Sequence, residues 1–240
     1  MTNRLRGLFT ALLLLSLCRA GAAAQDSGAG ARELIARGNE RYARAEYEAA
    51  IKVYALVPAG AGDVYAQALY NIGVCRFELW QTEEAARMYA RAVGARGGRY
   101  PKASYALGVA LEELGRAAEA KASYARAAEG AGYAPAHYKL GMLAAGAGDT
   151  EGAASHFREA IRRAKGKFPA SHNNLGVMLA RAGRLAEAGR EFEAALRHSE
   201  GTFEEAAHNL KLCRRLLAGR GGGDAAAALK VAAAADGFSR

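Results

Sequence analysis

The sequence has little of what punctuates or staples most folds. Among 240 residues there are 4 prolines, 3 cysteines and 1 tryptophan. β-branched residues are few beside the abundant alanine, which argues against a large sheet and for many alanine-rich helices. Pro58 marks a loop, and Pro101, Pro135 and Pro169 fall where a first helical turn would start, so that a missing N–H breaks nothing. The cysteines, Cys18, Cys75 and Cys213, are far apart, which excludes a Cys-x-x-Cys redox pair, a haem-attachment motif and a zinc knuckle. Gly-x-Ser-x-Gly, the dinucleotide fingerprint and His-Glu-x-x-His are all absent. Gly166-Lys167 is followed by Phe168, which has no hydroxyl for magnesium. The histidines, His137, His156, His172, His198 and His208, have no carboxylate or thiol partner at ligand spacing. These absences predict a non-enzymatic chain with no metal and no cofactor.

One apolar run is present, at the start. Arg4 and Arg6 precede an apolar stretch over 8–17, followed by Ala20-Gly21-Ala22-Ala23-Ala24. A basic head, a short apolar middle and a small-residue cleavage site predict a signal peptide over 1–24. The run is shorter than the roughly 20 residues that cross a bilayer, and no later segment is long or apolar enough, so no transmembrane span is expected. Leu15-Ser16-Leu17-Cys18 offers a second route, acylation of Cys18 as a lipid anchor. The formal charge is +9, about +6 once Arg4, Arg6 and Arg19 leave. That mild positive charge bears on steering and solubility; it names no partner. A periplasmic or secreted location follows, with outer-membrane association left open and nucleic acid not expected.

A repeat dominates the rest. Glycines recur at Gly38, Gly73, Gly108, Gly141 and Gly176, in steps of 35, 35, 33 and 35. The same template precedes each later one, as in Ala103-Ser104-Tyr105-Ala106-Leu107-Gly108 and Ala136-His137-Tyr138-Lys139-Leu140-Gly141. Twelve residues after each glycine stands Ala50, Ala85, Ala120, Ala153 or Ala188, and four further on Tyr54, Tyr89, Tyr124, Phe157 or Phe192. A large apolar residue beside a glycine suits the seam between two antiparallel helices, with the glycine allowing close approach. The later alanine and aromatic share one face of a second helix. Each unit is then a helical hairpin whose apolar faces need a neighbour.

On these residues the chain resembles the tetratricopeptide repeat family over 31–218. The resemblance implies an all-α, right-handed superhelical solenoid of antiparallel helix pairs. By the family pattern a flexible N-terminus over 25–30 precedes repeats at 31–64, 66–99, 101–133, 134–168 and 169–203, with a capping helix over 204–218. The segment 219–240 is a Gly- and Ala-rich tail, in which 224–235 has the composition of a frayed or weakly docked helix capped by Asp224.

The resemblance also implies a concave face, lined by the first helix of each repeat, that holds a peptide or a partner helix. Carried over by repeat position, its residues are Asn39, Tyr42, Tyr70, Asn71, Phe77, Lys102, Tyr105, Tyr138, Lys139, Asn173, Asn174 and Arg181. Tyr70, Tyr105 and Tyr138 recur at one position, either as a recognition row or as packing between helices. Asn39, Asn71 and Lys102 match part of the family's carboxylate clamp, but Ile35 and Ala106 replace its other cations. Three roles remain open from sequence: an envelope adaptor or scaffold for a protein or peptide partner, a chaperone or carrier for unfolded chains or a soluble ligand, and self-assembly with the tail in a second copy's groove.

Overall fold

Alanine-rich stretches bounded by glycine and proline become helices through most of the described chain, which in this computed structural model is residues 29–129, 132–219 and 229–232. Among those residues there is no strand. The helices are α1 over 29–43, α2 Tyr47–Tyr54, α3 Asp63–Glu78, α4 Thr82–Ala95, α5 Pro101–Glu113, α6 Ala117–Ala128, α7 Ala134–Gly146, α8 Thr150–Arg163, α9 Pro169–Arg181, α10 Leu185–His198 and α11 Glu204–Leu217. A short 3-10 turn, Ala59–Ala61, follows Pro58. The expected leader over 1–24, with Cys18, lies outside the described residues. Gly30, expected in a flexible N-terminus, is already part of α1.

The chain divides into two compact units, one ending at Ala103 and the other starting at Ser104. In the first, α3 packs on α4 and α2 on α3. Its core holds Ile35, Ala50, Ile51, Tyr54, Val57, Ile72 and Cys75. In the second, α7 pairs with α8 and α9 with α10, while α6, α8 and α10 each pack on the first helix of the following hairpin. Its core runs through Phe157, Leu175, Val177, Met178, Phe192 and Cys213.

The repeating glycine has a more specific partner than another backbone. In every hairpin it faces the aromatic ring 16 residues further on: Tyr54, Tyr89, Tyr124, Phe157 or Phe192. A Cβ placed on Gly108, Gly141 or Gly176 would come within 2.5, 2.7 or 2.6 Å of that ring. The rings of Tyr89, Tyr124, Phe157 and Phe192 are fully buried and have no room to retreat. The glycine is therefore the socket for the second helix's aromatic, and this one contact couples the two halves of each repeat.

The connections recur too. The residue 7 beyond each core glycine has a left-handed backbone: Gly115, Gly148 and Gly183 in the later hairpins, but Ala45 (φ 57°) and Trp80 (φ 62°) in the first two. Only the α7–α8 turn adds a side-chain cap, with Asp149 Oδ1 accepting from the Gly152 N–H at 2.8 Å, among the helices whose caps are described.

Burial has a chemical consequence in the first unit. The Cys75 thiol is pushed up to about 12, first by desolvation and then by Glu78. The Tyr54 hydroxyl is also pushed up to about 12, again first by desolvation. Both lie above their ordinary values of 9.0 and 10.0, so the fold favours the neutral forms. That contribution is complete below about pH 9 and is lost as pH climbs toward about 12, because the unfolded chain ionises first. Helicity is expected to fall over this alkaline range, and less steeply in Cys75→Ala. Alkylation of Cys75 in the folded protein at the rate of a free thiol would contradict this account.

Candidate functional site

In the second unit α7, α9 and α11 are first helices of successive hairpins, and their polar residues converge on one short piece of chain. Tyr138 comes from α7, Asn173 and Asn174 from α9, and Asn209 from α11. All three asparagines are fully buried, an arrangement that requires their amides to be paired.

Their partner is the segment 229–232. Asn209 donates from Nδ2 to the Lys230 carbonyl at 2.7 Å and accepts at Oδ1 from the Lys230 N–H at 2.8 Å. Asn174 repeats this two residues on, donating to the Ala232 carbonyl at 2.9 Å and accepting from the Ala232 N–H at 2.8 Å. Asn173 also donates to the Lys230 carbonyl at 3.1 Å, and the Tyr138 hydroxyl donates to that of Ala232. The amides are linked sideways, Asn209 donating to Asn173 at 2.8 Å and Asn173 to Asn174 at 3.0 Å.

A side-chain carboxamide has the donor and acceptor of a peptide group. Here those of Asn209 and Asn174 each meet both backbone groups of one residue, as a neighbouring strand would. Extended chain turns both groups of alternate residues to the same side, and Lys230 and Ala232 are two apart. Asn174 and Asn209 are 35 residues apart, one repeat, so the period of the solenoid matches a two-residue step of the bound chain. Around this ladder Leu229 and Ala232 are buried, Val231 is half-buried and Lys230 is exposed. Leu229 is part of the unit's core.

This corrects the expected alanine-rich helix over 224–235 within the residues described: 229–232 are non-helical and firmly seated. Helix propensity is a weak prior, and paired backbone hydrogen bonds from buried amides outweigh it.

The other residues expected at the groove are distributed unevenly. Tyr70 and Tyr105 are buried, each ring meeting one of its own hairpin and one of the loop beyond it at a tilt: Tyr70 lies 5.7 Å from Tyr89 and 5.8 Å from Tyr100, Tyr105 5.5 Å from Tyr124 and 5.3 Å from Tyr133. Tyr138 is packed similarly, 5.8 Å from Phe157 and 5.3 Å from Phe168, yet its hydroxyl reaches the segment. Phe77 is buried. In the first unit Tyr54 donates to Asn39 at 2.7 Å and Asn71 donates to Asn39 at 3.3 Å. The Tyr42 hydroxyl donates to Glu78 at 3.4 Å, and the Lys102 ammonium lies 4.9 Å over the Tyr70 ring. In the second unit Lys139 pairs with Glu112 at 3.2 Å, and Arg181 is exposed.

Sequence reasoning missed Asn209, because 204–218 was read only as a cap; its spacing of 35 from Asn174 was the signal. Four cations lie close together in Arg162-Arg163-Ala164-Lys165-Gly166-Lys167, and their charge is partly neutralised, with Arg162 and Arg163 both donating to Glu159, whose carboxyl they hold down at about 2. His172 lies 2.7 Å from Glu191 and stacks on His198, while burial holds His137 and His156 below the usual imidazole value. Among the described residues no group of three or more His, Cys, Asp or Glu side chains is placed to hold a metal ion, and no helix is long and apolar enough to cross a membrane.

A family model described as tetratricopeptide repeat matches residues 77–135 and 138–209, more than half of the chain. The chain belongs to the tetratricopeptide repeat family. Its all-α architecture of paired antiparallel helices is shared with solved tetratricopeptide structures. Pseudomonas aeruginosa pilF matches with a TM-score of 0.63 and 18% identity, over 84% of this chain and 90% of that one. MamA from Desulfovibrio magneticus RS-1 gives 0.53 and 20%, over 72% and 96%. YrrB, described as a TPR protein with an unusual peptide-binding site, gives 0.54 and 24%, over 74% and 90%. These likenesses establish the fold. No curated protein matches the sequence. The tetratricopeptide fold generally mediates protein–protein interaction.

Proposed function

We propose that this tetratricopeptide protein is an adaptor of the bacterial envelope, exported by the leader over 1–24, that holds an extended segment of a partner protein on the face of α7, α9 and α11. The observation that carries this reading is the pairing of Asn174 and Asn209 with both backbone groups of Ala232 and Lys230. Buried carboxamides set out at the repeat spacing have no use for a helix, whose backbone groups are already paired, so an extended ligand fits better than a helical one. The peptide-binding site described for YrrB agrees in kind.

The chaperone or carrier reading has one observation in its favour. The ladder hydrogen bonds go to backbone, which every sequence supplies. Selection of displayed random peptides on the full-length protein separates the two. An adaptor enriches one convergent pattern, a carrier enriches diverse sequences, and Asn174→Ala/Asn209→Ala loses either. Enrichment unaffected by that double substitution would defeat both. For location, a mature protein starting at Gln25 by mass is the expected result; one starting at a lipid-modified Cys18 would mean cleavage there and a membrane anchor instead.

A further inference from the structure

We infer that the asparagine site reads a short pattern, an aliphatic residue followed three positions later by a small one, and that the chain's own residues 229–232 occupy it as a built-in competitor. The inference rests on the reading of this face as a site for extended segments and adds what it selects and what guards it. Backbone pairing at Lys230 and Ala232 fixes the register, so the side chains at 229 and 232 meet fixed surroundings. Leu229 is buried among core residues, and Ala232 retains only 1% of its exposure, which leaves no space for a larger group. Lys230 is exposed and contributes only its backbone. The ligand class is thus an extended peptide of the form Leu-x-x-Ala in which the second residue is free to vary.

Being part of the same chain, the segment competes at a local concentration of roughly millimolar, so a segment with an intrinsic dissociation constant of about 10–100 μM makes any added peptide bind the intact protein about 10- to 100-fold more weakly than a protein whose segment has been released. A partner therefore engages by displacing the segment, and any partner lacking the pattern is held off.

The test uses full-length protein and a synthetic peptide of residues 224–236. Lys230→Pro/Ala232→Pro removes the two N–H donors that hold the segment and leaves the helices untouched. Titration of labelled peptide is expected to show binding to this released variant and at least tenfold weaker binding to the wild-type chain. Within the peptide, Lys230→Ala changes affinity less than threefold, whereas Leu229→Asp and Ala232→Phe each lower it more than tenfold. Equal affinity of wild-type and released proteins would overturn self-competition, and indifference to Leu229→Asp would overturn the pattern. A dimer in wild-type protein that disappears in the released variant would overturn it too, placing the segment on a second copy. If the released variant enriches displayed peptides of another pattern, this inference fails while the peptide-binding reading stands; if it binds no peptide at all, both fail.

Discussion

Gly176→Ala is expected to destabilise the second unit by about 1–3 kcal/mol, and Phe192→Ala by about 3–5 kcal/mol. Alanine ordinarily strengthens a helix relative to glycine by up to about 1 kcal/mol, so propensity alone predicts the opposite sign for the first substitution. Geometry decides. The added methyl would lie 2.6 Å from Phe192 Cε1, and the ring is fully buried. Removing the ring leaves a cavity but also removes the clash. The double variant Gly176→Ala/Phe192→Ala is therefore expected to cost less than the two single changes added together, by about 1–3 kcal/mol. Chemical denaturation followed by circular dichroism measures all three. Strict additivity would mean that glycine and aromatic are not socket and plug, and the reason given for the repeat would fall with it.

Asn174→Ala and Asn209→Ala are each expected to weaken binding of an extended peptide to the released protein by about tenfold to a hundredfold. Each substitution removes two hydrogen bonds to the ligand backbone, worth about 0.5–1.5 kcal/mol apiece, and leaves neighbouring buried groups short of a partner. Asn209→Ala strips Asn173 of the donor at 2.8 Å as well. Their effects should not be independent, because Asn173 joins them through its own amide. Asn71→Ala, on the other unit, is the control and should leave this affinity unchanged. Peptide titration provides the measurement; wild-type affinity in Asn174→Ala/Asn209→Ala would remove the asparagines from the site.

Much of the fold is legible in the sequence because it is written five times. Gly38, Gly73, Gly108, Gly141 and Gly176 mark the first helices, the aromatics 16 residues later mark the second, and each loop has its left-handed position. What periodicity could not supply is the atom-level reason: the glycine faces a ring rather than a backbone, which becomes visible only when the helices are packed. Nor could it single out Tyr138, whose hydroxyl reaches the segment, from Tyr105 at the same repeat position. Trp80 and Ala45 occupy left-handed turn positions that later repeats give to glycine, so turn chemistry alone would not have found those two turns.

The candidate site was half legible. Asn173 and Asn174 stand out from repeat position, but their partner is a stretch of alanines with Leu229 and Val231 as its larger apolar residues, whose composition points to a helix. Its conformation is set by contacts with residues 21 to 94 positions away along the chain, beyond the reach of local propensity. Asn209 was hidden by the loss of the marker glycine, replaced by Lys211.

Amide hydrogen exchange at Lys230 and Ala232 tests the central claim most directly. The account predicts that both amides exchange far more slowly in the wild-type protein than in an unstructured chain, and that Asn174→Ala/Asn209→Ala restores the unstructured rate at both. Free exchange at these two positions in the wild type would contradict it.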